Sequence, residues 1–195
     1  MNSPVVRNVA SSDRARVSAL MTLAFARDPL LRWIYEEGDR YLRYFDGFLD
    51  AYCGDAFASR SGACYADVGS GAVLWVSPTQ ARNDDHLSSF LQRTATESRR
   101  DEVLRLFDRF GECHPHTPHY YITLLGRDPC TRNRGVGSEL MDSIFERCDR
   151  ERAFAYGEAT TPAHVKFYRR LGCELVDVVQ VGTSPRFFPM IRAPR

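Results

Sequence analysis

The chain has 195 residues and a formal net charge of +1, from 26 Lys plus Arg against 25 Asp plus Glu. A balance this close to neutral argues against a protein whose main task is gripping nucleic acid. A content of 44% hydrophobic and 12% aromatic residues excludes a disordered chain and suits one domain, residues 1–195, with a real core.

The basic residues are lopsided, with Lys166 the single lysine. Six cysteines (Cys53, Cys64, Cys113, Cys130, Cys148 and Cys173) fall at irregular spacings, with no Cys-x-x-Cys pair. Met1-Asn2-Ser3-Pro4 opens no basic-then-apolar leader, and no run reaches the ~18 apolar residues of a membrane span. The expected setting is reduced and cytoplasmic, with no membrane partner.

In chain order, Val5 to Val9 reads as a short strand. Ser11 or Ser12 caps a helix from about Asp13 to Ala26, its apolar face set by Val17, Leu20, Met21, Ala24 and Phe25. Asp28-Pro29 interrupts it, before an apolar and aromatic segment from Leu30 to Tyr35. Asp39 to Cys53 is helical again. Strands are expected over Ala63 to Val68 and Ala72 to Ser77, joined by a Gly69-Ser70-Gly71 turn. Asp84 to Phe110 is helix-like and charged, in one or two pieces. Residues 1–118 thus form an N-terminal half.

The C-terminal part, 119–195, is the most legible. His119 to Leu125 is apolar on both faces, as a central strand is. Arg132-Asn133-Arg134-Gly135-Val136-Gly137 then opens a helix with Leu140, Met141, Ile144, Phe145 and Cys148 on one stripe. Phe154 to Ala159 is a strand. Thr161 caps a helix with Pro162 at its first position, and Gly172 follows its end. Glu174 to Val181 and Phe187 to Ile191 complete a β-rich tail. The alternation predicts a mixed α/β sheet.

Arg132-x-x-Gly135-x-Gly137, between a buried strand and an amphipathic helix, carries the most chemistry. Glycine lets the backbone approach a ligand, and the amides opening a helix point at an anion. Arg132 and Arg134 add positive charge, so a pyrophosphate is the natural guest. The segment lacks the Gly-Lys-Ser/Thr ending of a triphosphate loop and the third glycine of a dinucleotide fingerprint. By itself it also reads as an ordinary turn.

Together with the block Thr161 to Cys173, this segment resembles the acyl-CoA loop and the Asn-x-x-x-Tyr-x-x-x-Gly-Phe segment of the GNAT superfamily of N-acetyltransferases. Phe25-x-x-Asp28-Pro29, Leu74 to Pro78, Glu158-Ala159-Thr160 and Met190-x-Arg192 are similar to its puromycin N-acetyltransferase-like subgroup. The resemblance implies a twisted, mixed, mostly antiparallel sheet flanked by helices, with acetyl-CoA as co-substrate in a gap between two splayed parallel strands. It departs from the family at His164 (usually Asn), at Cys173 (usually Phe) and at Arg127 (commonly small and apolar).

The implied reaction moves an acetyl group to a primary amine of a small molecule by direct attack, with 119–195 as the acetyl-CoA-binding core and 1–118 carrying acceptor-site elements. The implied cofactor contacts are Leu124, Leu125, Gly126 and Arg127 on the strand, Arg132 to Gly137 with Ser138 at the loop, and His164, Phe167 and Tyr168 on the later helix. Tyr168 is the candidate general acid for the leaving thiolate; it also reads as a packed helix aromatic. Glu158 is the candidate base, directly or through water; it also reads as a structural carboxylate. Asp28, Trp33, Tyr35, Trp75 and Tyr121 are candidate acceptor-pocket residues, each of which also reads as turn or core. Cys130, beside the loop, could carry an acyl group, but the family resembled transfers directly. His114, His116 and His119 beside Cys113 read as an exposed connector, so no metal is expected. A peptide or protein N-acetyltransferase and a non-catalytic acyl-CoA-binding regulatory domain are the alternatives, and the chain is expected to be a monomer or homodimer.

Overall fold

The computed structural model describes residues 6–54, 56–57, 63–66 (backbone only), 71–80, 84–130 and 135–195. The expected turn at Gly69-Ser70-Gly71 lies largely outside them, and Arg132, Asn133 and Arg134 lie wholly outside.

A seven-stranded sheet runs β1 (Val6–Asn8), β2 (Ala63–Ala66), β3 (Gly71–Val76), β4 (His119–Arg127), β5 (Phe154–Ala159), β7 (Phe188–Arg192), β6 (Glu174–Leu175) across its width. Every described pair is antiparallel except β4 with β5. β3 is buried along its whole length and β4 from Tyr120 to Leu124, which explains why neither shows a polar face in sequence.

Helices cover both faces. On one side lie α1 (Arg14–Ala24), α2 (Pro29–Ile34), α3 (Gly38–Cys53), α4 (Asp84–Thr94) and α5 (Arg100–Cys113). Their core joins Val17, Met21, Phe45, Leu49, Leu91 and Leu106 to Ala72, Leu74 and Tyr121 of the sheet. On the other side lie α6 (Val136–Glu151) and α7 (Pro162–Arg170), whose core joins Leu140, Met141, Ile144 and Val165 to Val73, Trp75, Tyr120 and Ile122. Trp75 and Leu74 are neighbours on β3 and serve opposite layers, as a period of two requires.

Several expectations change. The first helix begins as a 3-10 turn at Ser11–Asp13, where the Asp13 carboxylate accepts the Ala10 amide at 2.9 Å, so α1 proper starts at Arg14 and ends at Ala24. Asp28 does more than interrupt: its Oδ1 accepts the amides of Leu30 (2.9 Å) and Leu31 (3.1 Å), capping α2 with Pro29 at the first position. The charged stretch after Asp84 divides at Glu97–Arg99, and its second helix runs past Phe110 to Cys113. The β-rich tail is shorter than expected. Between Leu175 and β7 the pairing continues only through the Val176 amide on the Pro189 carbonyl at 2.8 Å and a bridge of Val179 with Phe187, and the Asp177 side chain takes the Val178 amide at 2.7 Å.

The placement of the site follows from the parallel pair. β4 and β5 are in register from His119 with Phe154 to Ile122 with Gly157, and there the pairing ends. β4 continues to Arg127 alongside β3, while β5 continues to Ala159 alongside β7. The two strands part after Ile122, opening a gap at the centre of the sheet.

Candidate active site

Two cavities occupy this gap. The first is a groove lined by Leu125, Gly126 and Arg127 of β4, Gly137 of α6, and His164, Phe167 and Tyr168 of α7. The second is a pocket under α2, α3 and α5. Phe25, Leu30, Leu31, Phe48, Tyr52, Phe107 and Phe110 wall it, and Asp28, Thr123, Glu158, Thr160, His164 and Tyr168 supply its polar groups. Leu125, His164 and Tyr168 line both cavities, so the groove and the pocket meet at these three residues.

The groove is shaped by local backbone chemistry. Gly135 caps α6 at φ +116, a conformation L side chains rarely adopt. A Cβ on Gly137 would sit 3.4 Å from the Phe167 ring, so glycine keeps this wall open. Beyond Ile122 the edge of β4 that faces the gap pairs with no described strand. Thr161 holds the start of α7 by accepting the His164 amide at 3.2 Å. The groove therefore runs from the pocket to the first turn of α6. Val136 is buried in the α6 core and can offer only its backbone there, and Leu124 faces the pocket instead of the groove. Ser138 lies half-buried in the first turn of α6.

Burial, together with the charge of Glu158, pushes the Tyr168 phenol well above its ordinary value, so at neutral pH it is a proton donor. Burial likewise lowers His164 and keeps its ring neutral. His164 Nδ1 lies 3.4 Å from the Thr160 hydroxyl, which donates to Asp28 Oδ2 at 2.6 Å. Asp28 thus joins the pocket wall to α2, with one oxygen on the helix cap and the other on Thr160.

The Glu158 side chain is only 4% exposed. Its Oε2 accepts the Tyr121 hydroxyl at 2.9 Å, and Tyr121 is in turn bonded to the Tyr52 hydroxyl. Its Oε1 lies 3.9 Å from His114 Nε2. The carboxylate lines the pocket, where it can take a proton from a bound group.

Of the five candidate acceptor residues, Asp28 alone lines the pocket, and Tyr121 stands behind it. Three are corrected. Trp33 is buried with its Nε1 donating to Thr183 at 3.3 Å. Tyr35 is buried against Thr94. Trp75 points into the α6 layer, under the Arg147 guanidinium. Each is an aromatic claimed by the core, as large apolar side chains usually are. Conversely, Tyr52, Phe48, Phe107 and Phe110 form the pocket wall without having been picked out. Their signal was present only as the apolar stripes of α3 and α5, which do not say which aromatic ends at a cavity. Among the described residues, no group of three His, Cys, Asp or Glu side chains is placed to hold a metal ion, and no helix is long and apolar enough to cross a membrane.

Residues 72–173 match the family model for acetyltransferases of the GNAT family. Solved structures share the fold over nearly the whole chain. The histone acetyltransferase HPA2 and related acetyltransferase of Corynebacterium glutamicum is 24% identical, with 100% of this chain and 98% of that one covered and a TM-score of 0.68. The Drosophila melanogaster polyamine N-acetyltransferase, which catalyses formation of N-acetylagmatine, is 16% identical (98% and 100% covered, TM-score 0.64). A mosquito arylalkylamine N-acetyltransferase-like protein is 14% identical with the same coverage and TM-score.

Proposed function

The chain belongs to the GNAT acetyltransferase family, and from that premise we propose that it transfers an acetyl group from acetyl-CoA to a primary amine of a small molecule, by direct attack within a single domain. The observation that carries this reading is the meeting of the groove and the aromatic pocket at Leu125, His164 and Tyr168. A thioester lying in the groove would present its acyl carbon where the pocket delivers the amine.

The residues divide the work. The backbone of Leu125 to Arg127 and the amides opening α6 hold the acyl-CoA, with Arg132 and Arg134 adding charge for its phosphates. A β4 amide near Leu125 is the donor for the oxygen that becomes negative. Glu158 takes the proton of the arriving ammonium, and Tyr168 gives one to the departing thiolate. Because the site is desolvated, the thiolate is raised in energy along with the phenolate, which keeps their proton affinities comparable.

The walled pocket favours a small molecule over a peptide, which would need an open groove. Aromatic walls and a single buried carboxylate suit amines of the agmatine and arylalkylamine kind for which two of the structural neighbours are named. The segments that resemble the puromycin N-acetyltransferase-like subgroup add aminonucleosides to the set. A cytoplasmic setting goes with this reading, since acetyl-CoA is an intracellular metabolite.

The test is thiol release from acetyl-CoA across a panel of agmatine, 2-phenylethylamine, polyamines and aminonucleosides. Release with at least one small amine, and none with histone-tail peptides, is expected. Acetyl-CoA binding without release on any amine would overturn the catalytic reading.

A further inference from the structure

A chain of imidazoles leads away from the pocket. His114 follows α5, and His119 opens β4. The two rings touch, with His114 Nδ1 2.9 Å from His119 Nε2. His119 Nδ1 lies 2.9 Å from the Thr117 carbonyl. Both rings line a second groove, at the opposite end of β4 from the cofactor groove, with Ser77, Gln80 and Asp84 on its far side. Glu158 lines the acceptor pocket, so the step from Glu158 to His114 joins two separate cavities.

Hydrogen-bond direction fixes where the protons sit. A carbonyl can only accept, so His119 carries its proton on Nδ1 toward Thr117. Its Nε2 then accepts from His114 Nδ1–H. That leaves His114 Nε2 facing Glu158 Oε1 at 3.9 Å, and the pair is attractive only when a proton lies between the two atoms. A movement of about 1 Å brings them into hydrogen-bond range. Tyr121 and Tyr156 pack on His114 at 4.4 and 4.7 Å between ring centroids, and neither brings a charge at neutral pH. Other titratable groups near Glu158 and the two rings include Tyr52, Tyr168, Cys113, Asp84 and His116.

We propose that Glu158, His114 and His119 form a relay that carries the acceptor's proton out of the acetylation site to solvent on the far side of the sheet. The proposal rests on the amine-acetyltransferase reading. An ammonium and a thioester give an amide, a free thiol and one surplus proton per turnover. Glu158, with its side chain 4% exposed, cannot hand that proton to bulk water itself. In the relay the amine N–H breaks as a Glu158 O–H forms. Glu158 passes the proton to His114 Nε2, His114 Nδ1–H passes to His119 Nε2, and half-buried His119 releases a proton to water in the groove. One proton enters and one leaves, and the rings regain their starting tautomers by exchange with that water.

The experiment compares wild type with His119→Ala and His114→Phe, using agmatine and 2-phenylethylamine as acceptors across pH, with acetyl-CoA affinity and thermal melting as controls on folding. For His119→Ala, kcat/KM falls about tenfold near neutral pH. The loss disappears toward pH 10, where the amine arrives already neutral, and added imidazole restores the rate near pH 7. His114→Phe shows the same pH-dependent loss. Wild-type rates and pH profiles in His119→Ala, or an equal loss at every pH that imidazole does not rescue, overturn the relay even if His114→Phe fails to fold. Absence of thiol release by wild type with either amine is a different result, seen before any variant is made; it overturns the acetylation reading and the relay with it.

Discussion

The two cavities that meet at Tyr168 are built in opposite ways. The groove comes from short stretches of contiguous chain: the end of β4, the first turn of α6 and one face of α7. The pocket is assembled from α2, α3, α5, β4, β5 and α7, with Asp28 and Thr160 touching across 132 positions of sequence. A site that holds a constant cofactor can be made of backbone and glycine. A site that selects a variable acceptor is made of side chains, which can change one at a time without disturbing the fold.

This contrast predicts where substitutions act. Phe107→Ala, which removes a ring packed on Phe48, Tyr52 and Phe110, costs about 4 kcal/mol of stability and raises KM for the amine, with little change in acetyl-CoA affinity. Urea unfolding and substrate titration separate the two effects. Thr160→Val strips a donor from the buried Asp28 carboxylate and costs about 2 kcal/mol, again with the loss of activity confined to the amine. Gly137→Leu does the reverse. It fills the wall beside Phe167 and weakens acetyl-CoA binding about tenfold, or about 1.4 kcal/mol, while the melting temperature holds because leucine is the better helix former. Calorimetric titration of acetyl-CoA into this variant checks it. Equal effects on both substrates in all three would dissolve the distinction.

The smallest effect concerns pH. Burial pushes Tyr35 up to about 12, and burial also raises Tyr41, Tyr120, Tyr156 and Tyr168. The native state holds these protons more tightly than the unfolded chain. The associated stability is therefore fully present below about pH 10 and is lost as pH rises through the folded values. Unfolding free energies from urea titrations at pH 9 and 11 should differ by about 1 kcal/mol through Tyr35, and Tyr35→Phe should reduce the difference.

The same contrast explains what the sequence could tell. β5, the Thr161 cap, Pro162 and the stripe of α6 were legible because each is encoded within a few residues. Leu125, Gly126, Arg127, Gly137, His164, Phe167 and Tyr168 were picked out by motif and stand together along one groove. Trp33, Tyr35 and Trp75 were misassigned because an aromatic on a buried face and an aromatic on a pocket wall have the same spacing. The Glu158–His114–His119 contacts were not legible, because they depend on β4 and β5 lying parallel and in register from His119 to Ile122.

The central claim is that Tyr168 acts where the groove and the pocket join. Its most direct test is Tyr168→Phe, assayed for turnover and for acetyl-CoA binding on the same preparation. The account predicts a fall in kcat of about 100-fold or more, with the acetyl-CoA Kd within about twofold of wild type. Turnover within a few-fold of wild type would contradict it.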